Sequence, residues 1–209
     1  MKPIIFSTPM VRAILDNRKK QTRRVMKPQP IWDNGFWKWA GAAWSDNIKR
    51  VTPVPYHSMY NNAPYRPGDI IWVRETWCEY GNIHNPHMGY WYKASGIEQP
   101  YMDSVKFKMC KWRPSIYMPR EAARIFLRVT NVRVERLQDI TEEDARAEGF
   151  EKICFGLATP GAIQATSKEL FTEHWDALNA KRGYSWHTNP WVWVIEFERI
   201  KESEVEHDA

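Results

Sequence analysis

Cysteine is scarce in this chain: three in 209 residues, Cys78, Cys110 and Cys154. They form no CxxC pair, and any disulfide scheme leaves one over, so a disulfide scaffold is excluded and a reducing cytoplasm is the expected compartment. Long apolar runs are also missing. A stretch such as Trp191–Ile195 is far too short to cross a bilayer, so no membrane partner is expected. The opening Met1-Lys2-Pro3-Ile4-Ile5-Phe6 turns polar at Ser7 and offers no signal-peptide core. No serine nucleophile elbow, Walker loop, GxGxxG or HExxH occurs, so the common hydrolase, NTPase and dinucleotide templates fail. His84-Asn85-Pro86-His87 has an HxxH spacing but no acidic or thiol companion. Neither a metal nor another cofactor is expected.

What is present is unevenly placed. The chain has 30 Lys+Arg against 25 Asp+Glu, a formal charge of +5. Residues 1–28 hold eight basic residues (Lys2, Arg12, Arg18, Lys19, Lys20, Arg23, Arg24, Lys27) and one acid, Asp16; the rest holds 22 and 24. The positive field therefore sits at one end, where phosphates would meet Arg18, Lys20 and Arg23. Twelve tryptophans serve mostly as core, although aromatic faces beside cations also suit base stacking.

Length and a hydrophobic fraction of 43% allow one generous domain with a buried core. Pro9 in a first turn and an apolar stripe at Met10, Val11, Ile14 and Leu15 predict a helix over 8–17, stopped by Asn17 in the left-handed region. Strands are expected at Val25–Met26, Ile70–Trp77, Tyr90–Lys93, Ile125–Val134 and Trp191–Phe197. An aromatic hairpin is expected around Gly35. Thr141 and Asp144 read as the capping box of a helix ended by Gly149, and Ser167–Ala180 as a further amphipathic helix. Short strands broken by a few helices give α+β with a mostly antiparallel, closed sheet and exclude a doubly wound fold.

One segment carries chemistry. Lys19 sits among Arg18, Lys20, Arg23 and Arg24, and neighbouring cations, with burial, favour its neutral form. A neutral lysine can take a hydroxyl proton, and Thr22 is the hydroxyl in that segment. By itself K-x-x-T also describes a surface lysine and a strand-opening threonine.

Asn17-Arg18-Lys19-Lys20-Gln21-Thr22-Arg23-Arg24 resembles the G-x-K-x-x-T/E-x-R signature of ASCH domains, a PUA-like β-barrel superfamily. Gly68-Asp69-Ile70-Ile71-Trp72-Val73 resembles the family's GD-led strand. Ile140 to Gly149 resembles its acid-ended helix, and Trp193-Val194-Ile195-Glu196-Phe197 its closing strand. The chain is similar to the longer ASCH proteins that phages and prophages encode. The resemblance implies a single domain over 1–200 with flanking helices and insertions at about 29–66, 78–112 and 150–183, then an acidic flexible tail at 201–209. It implies an amidohydrolase that removes an acetyl group from an N4-acetylcytidine-type nucleoside without metal. Lys19 would be the base, Thr22 the nucleophile and Glu148 the acid; Arg24 would steady substrate or intermediate. Arg23, Arg74, Glu75 and Trp72 are further substrate-binding candidates, with a surface ion pair as the other reading of Arg74 and Glu75. The alternative is an RNA-binding PUA-like module, or a ribonuclease, using the same basic cleft. The expected partner is a modified nucleoside or RNA, met by a monomer.

Overall fold

The computed structural model describes residues 1–34, 36–39, 42–44, 63–81, 87–96, 111–151 and 165–207. Gly35, Cys110, Cys154, His84 and the central parts of the three expected insertions lie outside them. The fold is α+β with a mostly antiparallel main sheet, and strand pairing among the described residues closes no barrel. No helix among the described residues is long and apolar enough to cross a membrane. The chain divides into two units: Met1–Asn17, Ile70–Arg128 and Glu198–Ala209 form the first, Arg18–Asp69 and Val129–Phe197 the second.

In the first unit, β1 (Lys2–Ile5) lies parallel to β6 (Ile70–Arg74), and β6 pairs antiparallel with the start of β9 (Phe126–Arg136). Pro3 is tolerated because β1 is an edge strand. Helix α1 (Thr8–Leu15) carries Pro9 in its first turn and buries Val11, Ala13 and Ile14. Asn17, at φ 58°, ends it as the sequence predicts. The expected strand Ile70–Trp77 is broken at Glu75 and Thr76, and β7 (Trp77–Tyr80) starts a separate hairpin with β8 (Gly89–Tyr92). Trp72, Trp77, Met118 and Phe126 form the core here. Val205, in α4 (Glu202–His207), joins that core, so the stretch expected to fray carries a helix with an apolar anchor. Cys78 is disulfide-bonded, and cysteine usage therefore no longer argues for a reducing compartment.

The second unit places β2 (Gln21–Val25) antiparallel to β10 (Trp191–Ile200), with β9 on the other side of β10. Three short strands, β3 (Ile31–Asp33), β4 (Phe36–Trp39) and β5 (Ala42–Trp44), form the aromatic hairpin plus one extra strand. Helix α2 (Glu142–Ala147) has the expected Thr141–Asp144 capping box, and α3 (Ser167–Asn179) a second one between Thr166 and Glu169. Glu142 accepts from the backbone N–H groups of Ser167 and Lys168. That contact suits a carboxylate at the positive end of a helix. Phe171 and Trp175 of α3 pack with Leu137, Ile140, Val192 and Val194, each large buried side chain contributing about 1.5–3 kcal/mol.

Candidate active site

The site lies wholly within the second unit and starts from two chain reversals. After Asn17 the backbone of Lys20 is clamped: its N–H donates to Ala147 O at 2.8 Å and its C=O accepts from Phe197 N at 2.8 Å. Lys20 is left exposed while Lys19 points inward. Opposite it, Glu148 caps the C-terminus of α2, and Gly149 turns the chain away at φ 94°. A carboxylate at that end opposes the helix dipole and needs a cation.

Lys19 supplies it. Its ammonium donates to Glu148 Oε2 at 2.8 Å, to Glu148 O at 2.9 Å and to Gln21 O at 2.8 Å, three acceptors for three N–H donors. The two side chains are 0% and 2% exposed. Burial pushes the Lys19 pKa below that of an ordinary lysine; Glu148 resists the shift, and Arg24 and Arg23 add to it. The sequence-based expectation of a depressed lysine thus holds, but burial dominates and the neighbouring cations are the smaller cause.

Arg23 is built into the same network. It donates to Glu148 Oε1 at 3.3 Å and Glu135 Oε2 at 3.0 Å, and lies 3.1 Å from Asp144 Oδ2, with no side-chain exposure. Arg133 donates to Glu135, Glu196 and Asp144, and Gln21 donates to Asp144 Oδ1 at 3.0 Å. Burial raises the Asp144 pKa, but the Gln21 hydrogen bond and the charges of Arg23 and Arg133 outweigh it and hold the carboxyl below the usual range. Lys19, Arg23 and Arg133 thereby meet four carboxylates, Glu135, Asp144, Glu148 and Glu196. An anionic ligand reaching Arg23 would have to displace carboxylates already seated there.

No family model matches the chain, and neither does any curated protein or solved structure. The residues must speak for themselves.

Thr22 is buried on β2 opposite Ile195, and Arg24 is partly buried opposite Trp193. Strand alternation puts these two on one face and Gln21 with Arg23 on the other. Among the described residues the Thr22 hydroxyl makes no hydrogen bond to Lys19 or Glu148. Burial lowers the Arg24 pKa, while Glu148 and Tyr65 pull it up. The structure therefore joins Lys19 to Glu148 directly, with Thr22 three residues along the same segment. Trp72, Arg74 and Glu75 belong to the first unit. Trp72 is core, the Arg74 guanidinium lies 4.8 Å from the Trp72 ring centroid, and Glu75 pairs with Arg124 through two bonds of 2.9 Å. Arg74 and Glu75 are thus not each other's ion pair. His87 contacts Glu79.

Sequence reasoning missed Glu135, Arg133, Tyr65 and His174. His174, on α3, packs against Phe150 with ring centroids 5.2 Å apart, and among the described residues its buried Nε2 has no hydrogen-bond partner. Burial and the charge of Lys19 lower its pKa, against Glu148. His174 lines an open depression of about 640 Å³ with Arg18, Gly149, Phe150, Glu151, Leu170 and Glu173. The apolar pattern of α3 held His174 as one more inward position, with nothing to mark it as a neighbour of Lys19.

Proposed function

We propose that this chain is an amidohydrolase of the ASCH type, in a PUA-like barrel setting, that removes an acetyl or related acyl group from a modified cytidine such as N4-acetylcytidine. The observation that carries the reading is the 2.8 Å contact between Lys19 Nζ and Glu148 Oε2 in a dry site. An ammonium facing a carboxylate holds the same number of protons as an amine facing a carboxylic acid. One proton moving along that hydrogen bond converts the resting ion pair into a base and an acid. Burial favours the neutral form of Lys19.

The neutral amine of Lys19 then takes the Thr22 Oγ proton as Oγ attacks the acyl carbonyl. Arg24 steadies the oxyanion. The carboxylic acid of Glu148 protonates the departing exocyclic nitrogen, so the C–N bond breaks and the acyl group stays on Thr22. Water, deprotonated by the same pair, releases it and restores the hydroxyl. Hydrogen bonds between nucleophile and base tighten once substrate is bound, and Thr22 must then approach Lys19.

The test is release of cytidine from N4-acetylcytidine, followed by chromatography with purified protein. Wild type should turn over. Thr22→Ala and Lys19→Arg should fall to background, since arginine keeps its proton. Glu148→Gln should cost roughly 10²–10⁴-fold. Turnover by Thr22→Ala at the wild-type rate defeats the nucleophile assignment, and an inert wild type across acylated cytidines defeats the reading.

A further inference from the structure

We infer that the first unit carries a binding strip for single-stranded nucleic acid, centred on Arg113–Arg120 and independent of the hydrolase reading. The segment Lys111-Trp112-Arg113-Pro114-Ser115-Ile116-Tyr117-Met118-Pro119-Arg120 holds three basic residues and no acid. Its backbone is pinned. Arg113 N donates to Trp77 O at 2.8 Å, and Trp77 N to Arg113 O at 3.3 Å. Tyr117 N and Met118 N close a tight turn on Pro114 O and Ser115 O, both at 3.1 Å. Met118 is 1% exposed and anchors the turn in the core, while Ile116 and Tyr117 are 58% and 72% exposed. A turn fixed at both ends and below thus presents an aromatic ring to solvent.

The turn is bonded to one cation, and its own segment carries others. Arg74 Nη1 donates to Ile116 O at 3.3 Å while its guanidinium lies over Trp72. Arg113 lies 5.1 Å from the Trp77 centroid and keeps a side chain 54% exposed. Arg120 sits 4.5 Å from the Phe126 ring. Among the described residues the acids nearby are Glu79, 3.9 Å from Arg113 and also in contact with His87, Glu121, which accepts from Tyr90, and the buried Glu75, whose N–H meets Met118 Sδ and whose carboxylate is held by Arg124. Among the described residues Arg74, Lys111, Arg113 and Arg120 therefore outnumber the two carboxylates that Arg124 does not already pair.

This combination fits one occupant better than others. Arginines held against aromatic rings lose little further side-chain freedom when they meet phosphates. An exposed tyrosine supplies a stacking face for an unpaired base, which a duplex keeps inside its own stack. An acidic peptide would use the charges and leave Tyr117 without a role. The N-terminal basic cluster, where composition alone puts the phosphate contacts, has Lys19 and Arg23 buried on carboxylates.

The experiment is fluorescence anisotropy of a short unstructured pyrimidine RNA against the full-length protein, titrated over a salt series. Unmodified RNA is used, so the outcome does not depend on deacylation. Tyr117→Ala should weaken binding about tenfold with the salt slope unchanged. Arg113→Ala should reduce that slope by about 0.7, the share of one phosphate contact on a single strand. Both side chains are exposed, and circular dichroism confirms that each variant folds. Absence of RNA binding at low salt overturns the inference. So does wild-type affinity in Tyr117→Ala, or a loss produced by Arg18→Ala with Lys20→Ala in its place. Binding of polyglutamate as tight as that of RNA, and indifferent to Tyr117→Ala, hands the surface to an acidic protein partner.

Discussion

Two groups of cations, one in each unit, are held in opposite ways. In the second unit Lys19 and Arg23 are withdrawn from water and matched to Glu148, Glu135 and Asp144. In the first, Arg74, Arg113 and Arg120 lie on the faces of Trp72, Trp77 and Phe126, and Arg113 stays largely in solvent. Desolvation explains the difference. A cation taken out of water needs a full countercharge, because the penalty otherwise runs to several kcal/mol. One left at the surface needs only a polarisable face, for about 0.5–1 kcal/mol. Cations thus form a buried ion-pair network with Glu148, Glu135 and Asp144 in the second unit and sit against aromatic rings at Trp72, Trp77 and Phe126 in the first. Other cations depart from this. In the first unit Arg124 meets Glu75, which is 1% exposed, through two hydrogen bonds and also lies 4.0 Å from the Tyr92 ring, and Arg128 lies 3.6 Å from Glu198. In the second unit Arg136 lies 4.4 Å from the Trp191 ring centroid.

Breaking one partner of a buried pair is the strongest challenge to this contrast. Glu148→Leu strands Lys19 and Arg23 and should cost about 3–5 kcal/mol in chemical denaturation. Adding Lys19→Met should recover much of it, because an apolar pair tolerates the dry site. Arg124→Leu, which orphans Glu75, should cost a similar amount and add to Glu148→Leu with no coupling. A double-mutant cycle that finds coupling between them would erase the distinction.

pH sharpens the comparison with a smaller effect. Asp144 has a depressed folded pKa, so the unfolded chain binds more protons between that value and about 3.9. Its stabilising contribution is full above pH 4 and lost as pH falls through the folded pKa. Asp144→Asn should flatten the acid limb of the stability curve. Lys19 gives a slope of the same sign in an alkaline window: its folded pKa is lowered, so stability rises with pH from that value up to about 10.4. Lys19→Met should remove that rise.

The smallest effect belongs to surface cations. Arg113→Ala should change stability by no more than about 1 kcal/mol. Arg18→Ala, which loses a 3.7 Å contact to the exposed Glu151, should stay within about 0.5 kcal/mol and vanish in salt. A penalty above 2 kcal/mol for Arg113→Ala would mean that its place on Trp77 is a packing requirement and leaves no recognition surface to defend.

Local signals carried much of this architecture. The Thr141–Asp144 box, the left-handed Asn17, the amphipathic run from Ser167 and the aromatic pairing at Trp32 and Trp37 are all decided within a few residues by hydrogen-bond reach or steric freedom. Where that reach ended, the reading slipped. The break at Glu75 was invisible, because Ile70 to Trp77 is apolar enough for a single strand. The carboxyl of Glu75 turns instead to Arg124, 49 residues away. The tail looked too acidic to fold, yet Val205 reaches the Trp72 core.

The candidate site divides along the same line. Residue type and spacing alone determined that Lys19 and Thr22 share one short basic segment. The resemblance added Glu148, on a later helix. Only tertiary structure decided that Lys19 meets Glu148 at 2.8 Å out of water, that Arg23 is filled by three carboxylates, and that Thr22 lies on the other face of its strand. Charge along a sequence counts cations without telling which of them water will keep. That depends on the carboxylates brought up by β9 and α2, more than a hundred residues downstream of Lys19 and Arg23, and on the desolvation they offset.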